Sequence, residues 1–378
     1  MTLEPAPTGT VAQDATVDPD HVAVPDELAE VRAGEQLDWA ALERYLRAEL
    51  GDELDADGPF QVLQFPNGSA NLTYRVSLGD LQLVVRRPPF GELAPGAHDM
   101  RREYRALSTL WRHYPRAPRA YALCTDHDVV GSDFVVMEYR RGTVVWRAIP
   151  DEMAHLDDAG RRIGFATVDA LADLHAVDPA AAELSSLGRP DGFLERQLGG
   201  WTSRWETVAP GGDDHPVSRL GTVLTAARPD SPPAAVLHND FKVDNCQFAP
   251  DDPDVVTAVF DWDMATLGDP LVDLGTMLNY WPDPADDPDV PSAVPGTRAL
   301  GLPSRAEVVE RYAARSGADL DDIAWYVAFG CWRTAIIMQQ LYARHLRGET
   351  TDERMAQRGA QVPDLGRRGL ELLATSTL

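Results

Sequence analysis

The pattern of hydrophobic and polar positions changes period along the chain. Between residues 60 and 87, FQVLQF, NLTYRVSL and LQLVVRR are short runs rich in β-branched and aromatic residues, separated by PNGSA and GD. Such runs with turn residues between them predict strands joined as hairpins. Ahead of them, DWAALERYLRAELG places Trp39, Leu42, Leu46 and Leu50 on one helical face, with Asp38 positioned to cap the start and Gly51 to end it. AHDMRREYRALSTLWRHY predicts a helix with Met100, Tyr104, Leu107 and Trp111 inward, and DFVVMEY reads as a buried strand. Beyond Gly142 the helical period dominates, in AGRRIGFATVDALADLHAVD, GFLERQLGGWTSRWETV and SRAEVVERYAARSG, the last with a Ser304/Glu307 capping box. A final long helix is expected through LDDIAWYVAFGCWRTAIIMQQLYARHLRG, and Pro/Asp-rich loops at 209–216, 228–234 and 281–295 divide the helices.

Strands plus one helix, then a linking strand, then helices: this order predicts an α+β, bilobal fold with a small β-rich lobe (37–140), a larger helical lobe (141–378) and a cleft between them. Ligands commonly occupy the cleft between such parts. Residues 1–36, rich in Pro, Ala, Thr and acid without a period, are expected to form a flexible acidic tail. Residues 1–57 hold 15 acids against 3 arginines.

Charge narrows the partners. The net charge is -26, so nucleic acid, whose phosphates need a basic footprint, is an unexpected partner, and so is an acidic membrane surface. The most apolar run, IAWYVAFGCW, ends at Arg333 and is too short to span a bilayer. Three widely spaced cysteines, Cys124, Cys246 and Cys331, fit a reduced, cytoplasmic protein better than a disulfide framework. Oligomeric state is left open.

Two strand ends carry the chemistry. AAVLHNDFKVDNCQF is an apolar strand, a polar loop and a second apolar strand, and VVTAVFDWDMATLGDPLVDLGTM follows with a strand entering Asp261. Asp240, Asn245, Asp261 and Asp263 therefore emerge together. Carboxylates with an amide oxygen are hard ligands suited to Mg²⁺. The spacing is that of a kinase catalytic loop, an Asp five residues before a metal-binding Asn, with a further metal Asp after the next hairpin. On this reading Asp240 is the base and Asn245 and Asp261 are metal ligands, with Asp263 as a third. Lys242 is the single lysine among 34 basic residues. From its place two residues after Asp240, its ammonium can reach the γ-phosphate as charge builds in the transition state.

LHNDFKVDNCQF together with FDWDMATLGDPLVDLG resembles the aminoglycoside phosphotransferase/choline kinase family of small-molecule kinases. More closely, the chain resembles the kinase-like domains that occur alone or fused to acyl-CoA dehydrogenases, over about residues 37–350. NGSANLTYRV, VMEYRRG, LADLHAVD and LYARHLRG support the likeness. The resemblance implies a protein-kinase-like fold, with nucleotide in the N-lobe (37–140) and the catalytic loop and acceptor pocket in the C-lobe (141–378). It also implies that PNGSAN lies over the nucleotide phosphates, with Gly68, Ser69 and Asn71 as donors. Arg86, or its rival Arg87, stands for the lobe lysine that grips the α- and β-phosphates, with Glu103 as its ion-pair partner. The backbone around Glu138 and Tyr139 is the hinge that meets adenine. The implied cofactors are ATP, with GTP as an alternative, and Mg²⁺. The implied acceptor is a small-molecule hydroxyl, a hydroxy acid or hydroxyacyl-CoA ahead of an amino alcohol or antibiotic. His175, His238 and Asp273 are expected to brace the loop, and Trp325, Phe329 and Trp332 to be core. Asn239 stands where most relatives have Gly.

Two other functions compete. A protein kinase shares the loop but not the missing GxGxxG, DFG and APE segments. A nucleotide-binding pseudokinase or scaffold requires loss of the base or metal ligands, and none is lost here. A P-loop enzyme is excluded because its motif needs a lysine at a position this chain fills otherwise.

Overall fold

Antiparallel hairpins begin the fold, as the runs between 60 and 87 require. In the computed structural model β1 (Phe60–Gln64), β2 (Leu72–Leu78) and β3 (Leu81–Arg87) pair in chain order. β5 (Phe134–Glu138) adds to β3, and β4 (Ala120–Cys124) adds to β5 as the edge, all antiparallel. The structure describes residues 28–376 apart from residue 52 and segments 67–70, 92–98, 211–213, 287–296 and 350–352.

The strand period of two sorts this sheet into two faces. Leu83, Val85, Phe134 and Val136 meet Leu42, Leu46 and Leu50 of α1 (Trp39–Leu50). Val135, Met137 and Val84 face the other way, toward α2 (Met100–Leu110) and the helical part. α1 starts as expected, with Asp38 accepting from the Ala41 N–H at 2.9 Å. A one-turn helix, α3 (His127–Val130), lies beside it.

Two expectations need correction. The buried face of α2 is Met100, Glu103, Ala106, Leu107 and Leu110, while Tyr104 and Trp111 are only partly buried. The helix is rotated from the purely apolar prediction because Arg86 on β3 takes the Glu103 carboxylate inward. Residues 28–36 are not a free tail. Leu28 is buried, Ala29 exchanges backbone bonds with Gln64 on β1, and Tyr74 donates to the Glu35 carbonyl at 2.8 Å. Pairing the edge strand β1 outweighs the ordering cost there.

The helical part contains α4 (Ala159–His175), α5 (Phe193–Val208), α6 (Pro216–Ala226), α7 (Pro270–Tyr280), α8 (Arg305–Ser316), α9 (Ile323–Leu346) and α10 (Glu353–Thr375). The capping box of α8 is formed as expected, and Trp325, Phe329 and Trp332 are buried core. Helix α10 was not foreseen, and it contains Pro363 and three glycines, residues of low helix propensity. Its glycines are contact points instead: a Cβ at Gly366 would meet Pro216 and Val217, and one at Gly369 would meet Leu220. Two small ribbons carry the loops of interest. One pairs β6 (Thr143–Val144), β8 (Cys246–Ala249) and β9 (Asp252–Val259), the other β7 (Ala235–Leu237) with β10 (Thr266–Gly268). Among the described residues no helix is long and apolar enough to cross a membrane, and the three cysteines are buried and unbridged.

Candidate active site

Asp240 sits in the loop between β7 and β8, and the turn before it is held from below. The fully buried carboxylate of Asp273 on α7 accepts the N–H of His238 at 2.6 Å and of Asn239 at 2.7 Å. Burial alone would raise its pKa, but His175, His238 and these bonds hold it below the ordinary carboxylate value. His175 closes α4, bonded to the Tyr312 hydroxyl at 2.7 Å, and His238 meets the Phe260 carbonyl at 2.8 Å. Both histidines are therefore braces, as expected. Asn239 has φ 67°, a left-handed conformation that Asn tolerates better than other non-glycine residues, and its side chain donates to the Met264 carbonyl at 2.9 Å.

The same bonds bring the second strand end alongside. The Phe260 N–H donates to the Asn245 carbonyl at 2.9 Å, which sets Asn245 next to Asp261. Asp261 itself is left-handed at φ 72°. Asn245 spends its amide nitrogen on Asp240, donating to the main-chain oxygen at 2.8 Å and to Oδ2 at 3.2 Å. Lys242 Nζ lies 2.9 Å from Asp240 Oδ2 and 3.9 Å from Asp244 Oδ2. Burial opposes the Lys242 charge, yet Asp240 and Asp244 outweigh it and hold its pKa above the ordinary lysine value. Asp244 is pushed up by burial, against the pull of Lys242.

The sheet supplies the opposite wall. Arg86 ion-pairs with Glu103 on α2 and with Asp261 across the cleft. Burial works against its charge, but Glu103, Asp261 and Asp263 together raise its pKa. Asp261 is held low, because the Arg86 pair outweighs its own burial. Burial pushes the Glu103 carboxyl up to about 7 despite Arg86, and its Oε2 has no hydrogen-bond partner. Arg87 points to the other face of β3, donating to the Pro88 and Val130 carbonyls at 2.9 Å each. Of the two rivals, Arg86 alone reaches the cleft. Asn71 is buried and donates to Asp263 at 3.4 Å, so the two lobes also touch there.

A cavity of about 290 Å³ lies between these walls. Val84, Leu107, Met137 and Trp262 line its apolar end, and Arg86, Lys242, Asn245 and Asp261 its polar end. Tyr139 lines it, whereas Glu138 does not: the Glu138 side chain accepts from the Arg119 N–H at 3.1 Å and pairs with Arg140 at 2.9 Å. Gly68 and Ser69 lie outside the described residues.

Sequence reasoning passed over Asp244 and Tyr280. Asp244 lies inside the loop motif and its half-buried carboxylate faces Lys242. Tyr280 is close enough to Asp240 for that carboxylate to oppose its ionisation, burial being the larger cause of its raised pKa. Helix periodicity could have found it, since Asp273, Thr276 and Tyr280 fall at i, i+3 and i+7 on one face of α7.

Comparison with known proteins agrees with this architecture. The chain is 32% identical over 352 residues to the mouse acyl-CoA dehydrogenase family member 10, covering 90% of this chain but 31% of that protein. It thus spans about a third of that relative's length. A solved structure from Ralstonia eutropha, provisionally assigned to the aminoglycoside phosphotransferases, superposes with TM-score 0.73 at 26% identity, over 90% of this chain and 99% of the other. The GDP and kanamycin complex of an APH(2″) enzyme superposes with TM-score 0.57 at 16% identity, over 85% and 98%, a likeness of fold alone. The model of the phosphotransferase enzyme family matches residues 61–326, and the chain belongs to that family.

Proposed function

We propose that this phosphotransferase moves the γ-phosphate of ATP to the hydroxyl of a small molecule. The observation that carries the reading is the Asp240 carboxylate, held by Asn245 and Lys242, two residues that line the polar end of a cleft whose other wall is Arg86. Asp240 is the group that takes the acceptor's hydroxyl proton. Asn245 and Lys242 fix its position, and with Oδ2 engaged by both, Oδ1 is the oxygen left to face the acceptor. Arg86, oriented by Glu103, grips the nucleotide phosphates from the sheet side as a planar cation. The chain near Tyr139 meets the base, with ATP favoured over GTP.

The donors suit Mg²⁺. Asn245 commits its nitrogen to Asp240, which leaves its side-chain oxygen for a hard cation, and Asp261 and Asp263 add carboxylates. Among the described residues no three His, Cys, Asp or Glu side chains cluster as a metal site. Magnesium commonly takes only one or two protein carboxylates and completes its shell with phosphate and water. When bound, the ion neutralises phosphate oxygens as charge moves onto them.

The kinship with acyl-CoA dehydrogenase family members supports a hydroxy acid or hydroxyacyl-CoA as acceptor over an amino alcohol or antibiotic. The test is turnover of magnesium ATP, and separately GTP, over a panel of these hydroxyl compounds with mass spectrometry of products. Asp240→Asn is expected to lower kcat on the best acceptor by about 10²–10⁴-fold while nucleotide still binds. A variant that keeps more than about a tenth of wild-type kcat removes Asp240 as the base.

A further inference from the structure

Four arginines are buried, and three are satisfied in recognisable ways. Arg86 pairs with Glu103 and Asp261. Arg87 donates to two carbonyls. Arg305 holds Asp286 with two bonds of 2.7 Å and also donates to the Leu278 and Trp281 carbonyls. The fourth, Arg333, is different. Its Nη1 makes one long bond, 3.3 Å, to the Thr276 hydroxyl, and its Nε is buried with no partner. Among the described residues no carboxylate lies within ion-pair distance of it.

This is costly in a chain with 60 acids and 34 bases, where a carboxylate partner is easy to supply. Withdrawing a guanidinium from water without a counter-charge costs several kcal/mol. What surrounds Arg333 is aromatic: its guanidinium lies 5.4 Å from the Trp201 ring and 5.9 Å from the Phe329 ring. On Trp201 sits a second arginine, Arg204, 4.3 Å from the ring, exposed and without an ion pair among the described residues. Burial, and to a smaller degree Arg204, opposes the Arg333 charge and lowers its pKa, against Tyr280, Asp273 and Asp240, which favour it. Two cations are thus stationed around one indole, the outer one exposed and the inner one against α7, whose Asp273 holds the Asp240 loop. Thr276, the contact of Arg333, is one turn from Asp273 and one turn from Tyr280 on the same face of α7.

We infer that Arg333, with Arg204 and Trp201, is the subsite for an oxyanion on the acceptor, and that the enzyme selects hydroxyl compounds bearing a carboxylate or phosphate. The inference rests on the phosphotransfer reading and deepens it by naming the group that fixes the acceptor relative to Asp240. An arginine fork matches a carboxylate or phosphate bidentately, and a buried fork discriminates more strongly than an exposed one. A cationic acceptor meets repulsion from the same pair.

Thermal-shift titration of the full chain with 3-hydroxybutyrate, glycerol 3-phosphate, 1,3-butanediol and choline, each with and without magnesium AMP-PNP, tests this. One of the two anions is expected to stabilise the wild type, which tells carboxylate from phosphate, and the diol and choline are expected not to. Arg333→Met is expected to weaken that anion by about tenfold or more, and Arg333→Lys by less. AMP-PNP binding checks that each variant is folded. Arg204→Met, on the exposed flank, leaves the core intact and is expected to weaken the anion by about two- to fivefold. Preference for choline or the diol, no stabilisation by either anion, or equal anion affinity in Arg333→Met overturns the inference. Failure of the wild type to bind magnesium AMP-PNP instead strikes the phosphotransfer reading, since the anion effect is also read without nucleotide.

Discussion

The brace under the catalytic loop makes a quantitative expectation. Asp273→Asn keeps one carbonyl oxygen for one of the two backbone donors, His238 N–H at 2.6 Å or Asn239 N–H at 2.7 Å. The other then faces the new amide NH₂, donor against donor, at a fully buried site. Losing a hydrogen bond to a charged group costs about 1.5–3 kcal/mol, and the unsatisfied buried donor adds to it, so about 3–4 kcal/mol is expected at neutral pH. Equilibrium urea unfolding followed by tryptophan fluorescence measures it, and Trp262, whose ring lies 4.7 Å from His238, reports locally. The pH dependence has a definite sign. The folded-state pKa of Asp273 is depressed, so its stabilisation is present above the unfolded value of about 3.9 and is lost as pH falls through the folded one. The gap between wild type and variant should therefore be constant from pH 7 to about 5 and narrow below about 4. A gap under about 1 kcal/mol at pH 7, or one that does not narrow in acid, refutes the brace.

Lys242→Met is expected to lower kcat by about 10²–10³-fold with little change in nucleotide affinity, and Lys242→Arg to recover part of the loss. Single-turnover rates within threefold of wild type for Lys242→Met remove this lysine from the transition state. Arg86→Ala is expected to weaken magnesium AMP-PNP binding and, by leaving Glu103 buried and unpaired, to cost about 3–5 kcal/mol of stability. Arg87→Ala should change nucleotide affinity little, since Arg87 faces away from the cleft; calorimetric titration separates the two, and equal losses contradict the face assignment.

What was legible in the sequence was what short-range pattern encodes. The three hairpin-linked strands, the Asp38 cap and the Ser304 box stand where the pattern put them, because turn residues and caps act over three or four residues. The loop motif was legible because Asp240, Asn245 and Asp261 are separated only by one tight ribbon. The rivalry between Arg86 and Arg87 was also soluble in principle: Arg86 shares parity with Val84, which faces α2, and Arg87 with Val85, which faces α1. The misses are long-range. The rotation of α2 depends on a partner 17 residues away on β3, and the helicity of α10 depends on α6 and α9, which turn its glycines from breakers into contact points. Arg333 was read only as the residue that ends an apolar run, since its lack of a counter-ion is a property of three helices packed together.

The one lysine follows from the geometry around Asp240. Asp240 already spends Oδ2 on the Asn245 amide, and Lys242 joins on that same oxygen at 2.9 Å. A point-like ammonium can share one oxygen and still lean toward Asp244, 3.9 Å away. A guanidinium prefers both oxygens of a carboxylate in a planar fork. Such a fork here would compete for Oδ1, the oxygen of Asp240 left for an acceptor proton, which is why Lys242→Arg is expected to restore only part of the rate. Elsewhere the fork is an advantage: Arg86 spans Glu103 and Asp261, and Arg305 clasps Asp286. A chain that uses arginine for every other cation thus keeps lysine at the position where a fork would hinder the proposed base.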